Sequence, residues 1–462
     1  MTDEHVDALV LGSGQGGGPL AGALARAGRR TVLIERLHIG GTCINEGCTP
    51  TKTMIASAHA AYLARRAEDF GVRCGDVAVD LPAVVARKRG IVTRFRESTE
   101  RGLVAAGVNV VFGDARFVGE RRVEAGVPGG STRTFRAPMI IINTGARPAR
   151  PGILGLDRVP ALDSTSVMEL EVLPEHLLVL GGGYVGVEFA QMFRRFGSRV
   201  TVVTQDAQLL THEDADIAVG VASILREDGV DILLEARATA AEPSPNGVAL
   251  SVDARDGVRR LTATHLLVAT GRTPNTDTLE PAAAGIALDD HGYITVDERL
   301  ATTAPGVYAI GDVKGGPAFT HISYDDFRIL RANLLEGGSA SISHRLVPYT
   351  VFIDPQLGGV GLTEREARSE GRSIAVATLP MSKVARAVEV GESRGFMKVI
   401  VDRDTHRVLG CAVLGIEGGE IMSLLQIAMM GGLPYTSLRD AVFAHPTLAE
   451  SLNNLFAGLA AV

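Results

Sequence analysis

Cysteine is scarce in this chain, at four residues among 462. So few thiols exclude a disulfide-dense secreted scaffold. Long apolar runs are missing too: none approaches the roughly 18 residues that would span a bilayer, and no membrane partner is expected. The opening MTDEHVDALVLGSG is acidic and enters a strand at once, without the basic and apolar regions of a secretion signal, so a cytoplasmic protein is expected. Basic runs are also lacking, and with a net charge of −7 this argues against a nucleic-acid partner. The hydrophobic share of 46% and the charged share of 21% describe an ordinary globular protein, and the length implies several domains.

Two of the four cysteines stand close together, in GGTCINEGCTPTK at residues 40–52. Cys43 and Cys48 are five positions apart, whereas Cys74 and Cys411 have no near partner in sequence. In a reducing cytosol a close pair points to redox chemistry, catalysis or metal binding. No second pair of cysteines or histidines at ligand spacing accompanies it, so no metal is expected. Two inert buried thiols are the plain alternative.

Residues 6–35 read as strand, glycine turn, helix, strand, with Gly12, Gly14 and Gly17 forming G-x-G-x-x-G. Glycines there allow a tight turn and a close approach to a pyrophosphate, whose charge meets the helix N-terminus. Glu35 follows Gly12 by 23 residues, where a carboxylate accepts from ribose hydroxyls. The pattern repeats at 176–206 with Gly181, Gly183 and Gly186. Two such motifs suggest a flavin and a nicotinamide nucleotide bound by one chain; the alternative is that one repeat is scaffold. IIINTGARP (140–148) and LLVATGRTPNT (266–276) echo each other as apolar strands broken by Thr-Gly and Pro. In GVYAIGDVKGG (306–316) a strand ends at Gly311 and Asp312, an acceptor suited to ribityl hydroxyls, though Gly-Asp also marks simple turns.

Taken together these residues resemble the pyridine nucleotide-disulfide oxidoreductases of the glutathione reductase, lipoamide dehydrogenase and mercuric reductase type, over essentially the whole chain. GGTCINEGCTPTK is similar to the family's redox-active disulfide segment, and FAHPTLAE (443–450) to its His-Pro motif. The resemblance implies an α/β fold with two Rossmann-like domains and an α+β dimerisation domain. FAD would take residues 1–150 and 272–340, NAD(P) residues 151–271, and the homodimer interface residues 341–462. It further implies that Cys48 lies against the flavin, that Cys43 is the outer thiol, and that His445 of the partner chain, oriented by Glu450, moves the proton. Lys52 would pair with Glu188 near the flavin. Ala115, Thr144, Gly145 and Asp312 would also serve FAD, and Gly271 the nicotinamide nucleotide. A small oxidised acceptor would complete the reaction.

Some positions depart from the family pattern. Residue 204, which follows Gly181 by the same 23 residues, is Thr and not an acid. Thr204, Gln205 and Asp206 supply neither an acid at the expected position nor an arginine, and with Thr204 and Gln205 as donors NADPH is favoured over NADH. The end of the sequence, NNLFAGLAAV, has no cysteine pair, which argues against efficient mercuric-ion reduction. FTHISYDDFRIL (319–330) and residues 432–456 resemble the mercuric-reductase-like subgroup that includes reactive-chlorine-resistance and hypothiocyanous acid reductases. The family's frequent His-x-His-Pro is here Phe443-Ala444-His445-Pro446, so Phe443 stands in place of a second histidine, which weighs against lipoamide dehydrogenase. A reductase for a low-molecular-weight disulfide or a dihydrolipoyl dehydrogenase, and a non-enzymatic flavin sensor, are the competing readings. Presence of the cysteines, His445, Glu450, Lys52 and Glu188 speaks against the sensor.

Overall fold

The computed structural model describes residues 3–459. The chain forms two compact units, one of residues up to 53, 85–149 and 271–345, the other of 54–84, 150–270 and from 346 onward.

In the first unit five parallel strands lie in the order Val307–Ala309, Met139–Ile142, Ala8–Leu11, Thr31–Glu35, Asn109–Phe112. Three of them, ALVL, TVLIE and MIII, are almost wholly apolar because both sheet faces are covered. Leu9, Leu11, Val32, Ile34, Ile140 and Ile142 point into one core; Ala8, Val10, Leu33 and Ile141 point into another. This is the period of two along a strand. The second core is closed by Leu20 and Leu24 of the helix Gly17–Arg26 and by Phe327 and Leu330 of the helix Thr320–Leu335. The first is closed by Phe117, Val123 and Phe135 from a small sheet, strands Asp114–Gly119, Arg122–Gly126 and Thr132–Arg136.

The second unit repeats the parallel plan with Val230–Leu233, Arg199–Val203, His176–Leu180 and His265–Val268. Leu178, Leu180, Val203 and Leu266 pack with Leu250 and Val252 of an antiparallel sheet spanning residues 237–263. A five-stranded antiparallel sheet follows, ordered Tyr349–Val351, Gln356–Gly361, Val408–Gly415, Phe396–Asp402, Ile374–Pro380. Its core of Val399, Val413, Leu425 and Phe456 joins the sheet to the helices Gly418–Met430 and Ser451–Ala457.

Residues 54–84 belong to this unit through polar contacts that sequence pattern does not display. His59 Nδ1 lies 2.7 Å from Asp354 Oδ2, and the Arg195 guanidinium sits 3.7 Å over the Tyr62 ring while its Nε meets Asp228 at 3.0 Å. Among the described residues no helix is long and apolar enough to cross a membrane.

Candidate functional site

The first glycine turn is a close contact between backbones. Gly12 has φ +98°, and a side-chain carbon at Gly17 would run into the Gly12 carbonyl. Beneath the turn lies Asn143, whose amide, oriented to pair both its ends, accepts from Gly14 N and Gly17 N at 3.1 Å each and donates to Ile310 O at 3.2 Å. Glu35, last residue of its strand, accepts from Ser13 N at 2.9 Å and from Ser13 Oγ at 2.6 Å. Gly113 N donates to the Glu35 carbonyl at 2.9 Å, which brings the strand carrying Ala115 alongside. Thr144 and Gly145 are tied to Asn275: the Thr144 hydroxyl donates to its carbonyl at 3.0 Å, and its N–H donates to the Gly145 carbonyl at 2.9 Å.

Asp312 sits at the end of Val307–Ala309, its carboxylate 3.7 Å from Arg272 Nε. Burial pushes the Asp312 carboxyl above the usual carboxylate range, against the pull of Arg272 and Lys314. Arg272 Nε itself is buried without a hydrogen-bond partner among the described residues. These features fit FAD: glycines where a Cβ would fill the cradle, an acid at the ribose position, and a sheltered carboxyl suited to hydroxyl donors.

Gly40 and Gly41, with φ +103° and +63°, lead the cysteine segment back against the same turn, for a Cβ on Gly41 would meet the Gly14 Cα. Cys43 lies in the short helix Gly41–Asn45, and Cys48 opens the helix Cys48–Arg65. Asn45 holds the segment by donating to Ile39 O at 3.0 Å and Gly41 O at 2.9 Å while accepting from Arg96 Nε at 2.8 Å. Both cysteines are free thiols, Cys43 half-buried and Cys48 exposed. Cys48 Sγ lies 3.2 Å from Thr320 Oγ1, at the start of a second helix. The Cys43 thiol is pushed well up by its hydrogen bond to Cys48, then by burial and by the charge of Cys48, with Thr320 and Lys52 pulling the other way. Lys52 is half-buried in the first unit.

In the second unit Gly181 has φ +119°, and Gly186 faces the Gly181 carbonyl as Gly17 faces that of Gly12. Gly183 precedes the helix Tyr184–Phe196, which carries the buried Glu188. The Glu188 carboxylate accepts from Phe352 N at 2.7 Å. Thr204 is only 3% exposed, and its hydroxyl donates to Asp206 Oδ2 at 2.9 Å, so that group is engaged within the chain; Gln205 is exposed. Gly271, expected with the nicotinamide site, belongs to the first unit, where its carbonyl accepts from Ala149 N at 2.9 Å. His445 is exposed and Glu450 Oε2 lies 2.8 Å from its Nδ1, an arrangement that holds the proton on Nδ1 and leaves Nε2 as acceptor. Phe443 and Leu448 anchor this loop on the core of the antiparallel sheet.

Sequence reasoning missed Ser13, Asn143 and Thr320, and set Asp206 aside because it lies two residues past the expected acid position. Asn143 stood inside the quoted IIINTGARP and Thr320 inside FTHISYDDFRIL, but nothing local marks an amide or hydroxyl as a partner of residues more than a hundred positions away.

Such a frame, two glycine turns and a vicinal thiol pair, defines an oxidoreductase that handles dinucleotides. Residues 6–326 match the family Pyridine nucleotide-disulphide oxidoreductase and residues 347–456 its dimerisation domain, and the chain belongs to this family. Its members use FAD and NAD(P)H. The chain is 41% identical over 454 residues to the probable pyridine nucleotide-disulfide oxidoreductase RclA of Escherichia coli K12, covering 97% of this chain and 98% of the relative. It is 35% identical over 448 residues to a mercuric reductase of Streptomyces lividans, covering 96% and 94%. Among solved structures, the Cu(II) complex of the HOCl-induced flavoprotein disulfide reductase RclA from Escherichia coli superposes with a TM-score of 0.90 at 40% identity, over 99% of each chain.

Proposed function

We propose that this flavoenzyme works in the cytoplasm as a homodimer, drawing electrons from NAD(P)H and passing them through Cys43 and Cys48 to a small oxidised acceptor. Gly12, Gly14, Gly17, Glu35 and Asp312 would hold FAD, which would supply the electron pair that reduces the Cys43–Cys48 disulfide. One observation carries the residue assignment: Cys43, half-buried, and Cys48, exposed, are held together beside the first glycine turn by Gly41 and the start of the helix Cys48–Arg65, and a thiol so placed needs a base before it can attack.

His445 of the partner chain is that base. Glu450 holds its Nδ1, and its exposed ring presents Nε2 outward from the dimerisation domain. Exposed Leu424, Ile427, Met430 and Leu433, in and just after the helix Gly418–Met430, supply the apolar face that a second copy would cover. With a disulfide or an oxidant such as hypothiocyanous acid as acceptor, the Cys43 thiolate attacks one of two joined atoms, the bond between them breaks, and the other half leaves as an anion that takes the proton from His445. Cys48 then attacks the Cys43 sulfur, reforms the disulfide and releases the second half, so that two electrons leave the thiols and two enter the acceptor. The start of an 18-residue helix and the Thr320 hydroxyl favour negative charge on Cys48. Lys52, in the same helix as Cys48, would place positive charge near the flavin.

RclA is described as HOCl-induced and has been crystallised with Cu(II), which supports a small oxidant or metal ion as the acceptor class. A panel of hypothiocyanous acid, Cu(II), Hg(II), lipoamide and low-molecular-weight disulfides, run with NADH and with NADPH, tests this. Preference for lipoamide would overturn the acceptor class. His445→Ala should leave flavin reduction intact and slow acceptor turnover by about 10²–10⁴-fold. Mixed dimers of Cys43→Ser and His445→Ala subunits should recover activity, and no recovery after confirmed exchange would remove His445 from the shared site.

A further inference from the structure

The two dinucleotide motifs can be laid on each other atom by atom where residues 35 and 204 meet their turns. Glu35 reaches back to Ser13, the residue after the first glycine, through two hydrogen bonds. Thr204 reaches the corresponding residue, Gly182, with its methyl: a Cβ on Gly182 would lie 3.2 Å from Thr204 Cγ2. Position 204 therefore holds the place of the ribose-binding acid, yet its side chain is buried and ends in a methyl and an engaged hydroxyl.

That hydroxyl orients a carboxylate. Thr204 Oγ1 accepts from Asp206 N at 3.3 Å and donates to Asp206 Oδ2 at 2.9 Å, which folds the Asp206 carboxylate back over position 204. The backbone beneath is pinned on both sides, with Thr204 N donating to Leu233 O at 3.0 Å, Ala236 N to Thr204 O at 2.8 Å and Glu235 N to Asp206 O at 2.9 Å. Asp206 is exposed. Arg255 donates to the Glu235 carboxylate at 2.7 Å. A 2′-phosphate arriving at this strand end would meet a carboxylate, whereas vicinal ribose hydroxyls would find an acceptor.

We infer that Asp206, displaced by two residues from the expected position and steered back by Thr204, selects the nicotinamide dinucleotide and makes NADH the preferred donor. The preference differs from the one expected from Thr204 and Gln205, because the Thr204 hydroxyl is bound to Asp206 and is not offered to a phosphate. The inference rests on the reading of residues 181–186 as the nicotinamide dinucleotide site.

Calorimetric titration of the flavin-loaded enzyme with ADP-ribose and with 2′-phospho-ADP-ribose tests it without turnover. The wild type should bind ADP-ribose at least about 10-fold more tightly, from hydrogen bonds to a carboxylate on one side and charge repulsion on the other. Asp206→Asn and Asp206→Ala, each checked for retained flavin and unchanged melting temperature, should shrink that ratio by about 10-fold or more, and Thr204→Val by less. Tighter binding of the 2′-phosphorylated fragment by the wild type, or an unchanged ratio in both Asp206 variants, overturns the inference while leaving the site reading intact. Gly186→Val should lose both fragments; if it binds both as the wild type does, or if the wild type binds neither, the site reading fails and the inference falls with it.

Discussion

In the first unit a strand ends at Leu11, turns through Gly12 and Gly14, and gives way to a helix at Gly17; in the second a strand ends at Leu180, turns through Gly181 and Gly183, and gives way to a helix at Tyr184. Backbone contacts are the same in both, glycine against glycine carbonyl. The side chains set into that frame are not. Ser13 and Glu35 bond to each other in the first, where the second has Gly182 against Thr204 with Asp206 beyond. Gln15 donates to Gly40 O at 3.1 Å and so ties the first turn to the cysteine segment. Its counterpart Tyr184 stacks on Tyr349 with ring centroids 5.7 Å apart and points its hydroxyl at the buried Glu213, 3.4 Å away. A shared backbone cradle thus sets what kind of ligand is held, and the residues around it set which ligand and which neighbouring element the turn is coupled to.

The strongest way to break the likeness is to fill one cradle at a time. Gly17→Val should abolish flavin retention, read as loss of the visible flavin absorbance. Gly186→Val should keep the flavin and lower its rate of reduction by NAD(P)H by about 100-fold or more, since moving a packed helix off the turn costs a few kcal/mol. If both variants keep flavin and reduction rate, the glycines are scaffold.

A smaller effect separates the two acid positions. Glu35→Gln leaves the turn's shape but weakens charge-assisted bonds to hydroxyls, and should loosen FAD by about 10- to 100-fold in reconstitution of the apoprotein. Thr204→Ala should not change FAD affinity. Equal losses in the two variants would mean that the positions do not divide the work as their surroundings suggest.

The smallest expected effect is a pH dependence seated at the second turn. Burial pushes the Glu213 carboxyl up to about 6, against the hydrogen bonds from Tyr349 and Tyr184. Its folded value exceeds the unfolded one, so between these values the folded state binds more protons and stability falls as pH rises toward and through about 6. Glu213→Gln removes this term. The loss of stability between pH 4.5 and pH 8 should therefore shrink by about 1–2 kcal/mol relative to wild type in denaturant melts. An identical pH profile in the variant would show that Glu213 titrates normally.

Local pattern made much of this protein legible. Strands covered on both faces announce themselves as apolar runs, glycine turns need glycine at fixed intervals, and a thiol pair in a cysteine-poor chain stands out. His445 and Glu450 are five residues apart, so the short HPTLAE segment carries both halves of that pair. The chain alone thereby determined the fold class, the family and most of the groups named as candidates, because each rests on chemistry completed within about thirty residues. Only the tertiary structure decided the rest. Thr320 comes within 3.2 Å of Cys48 across 272 positions, and Asn143 sits under a turn 131 positions before it. Residues 54–84 join the second unit through His59, Tyr62 and Arg65. Those partners are fixed by where folded strands and helices end in space, and a polar side chain carries no sign in sequence of the distant atom it will meet.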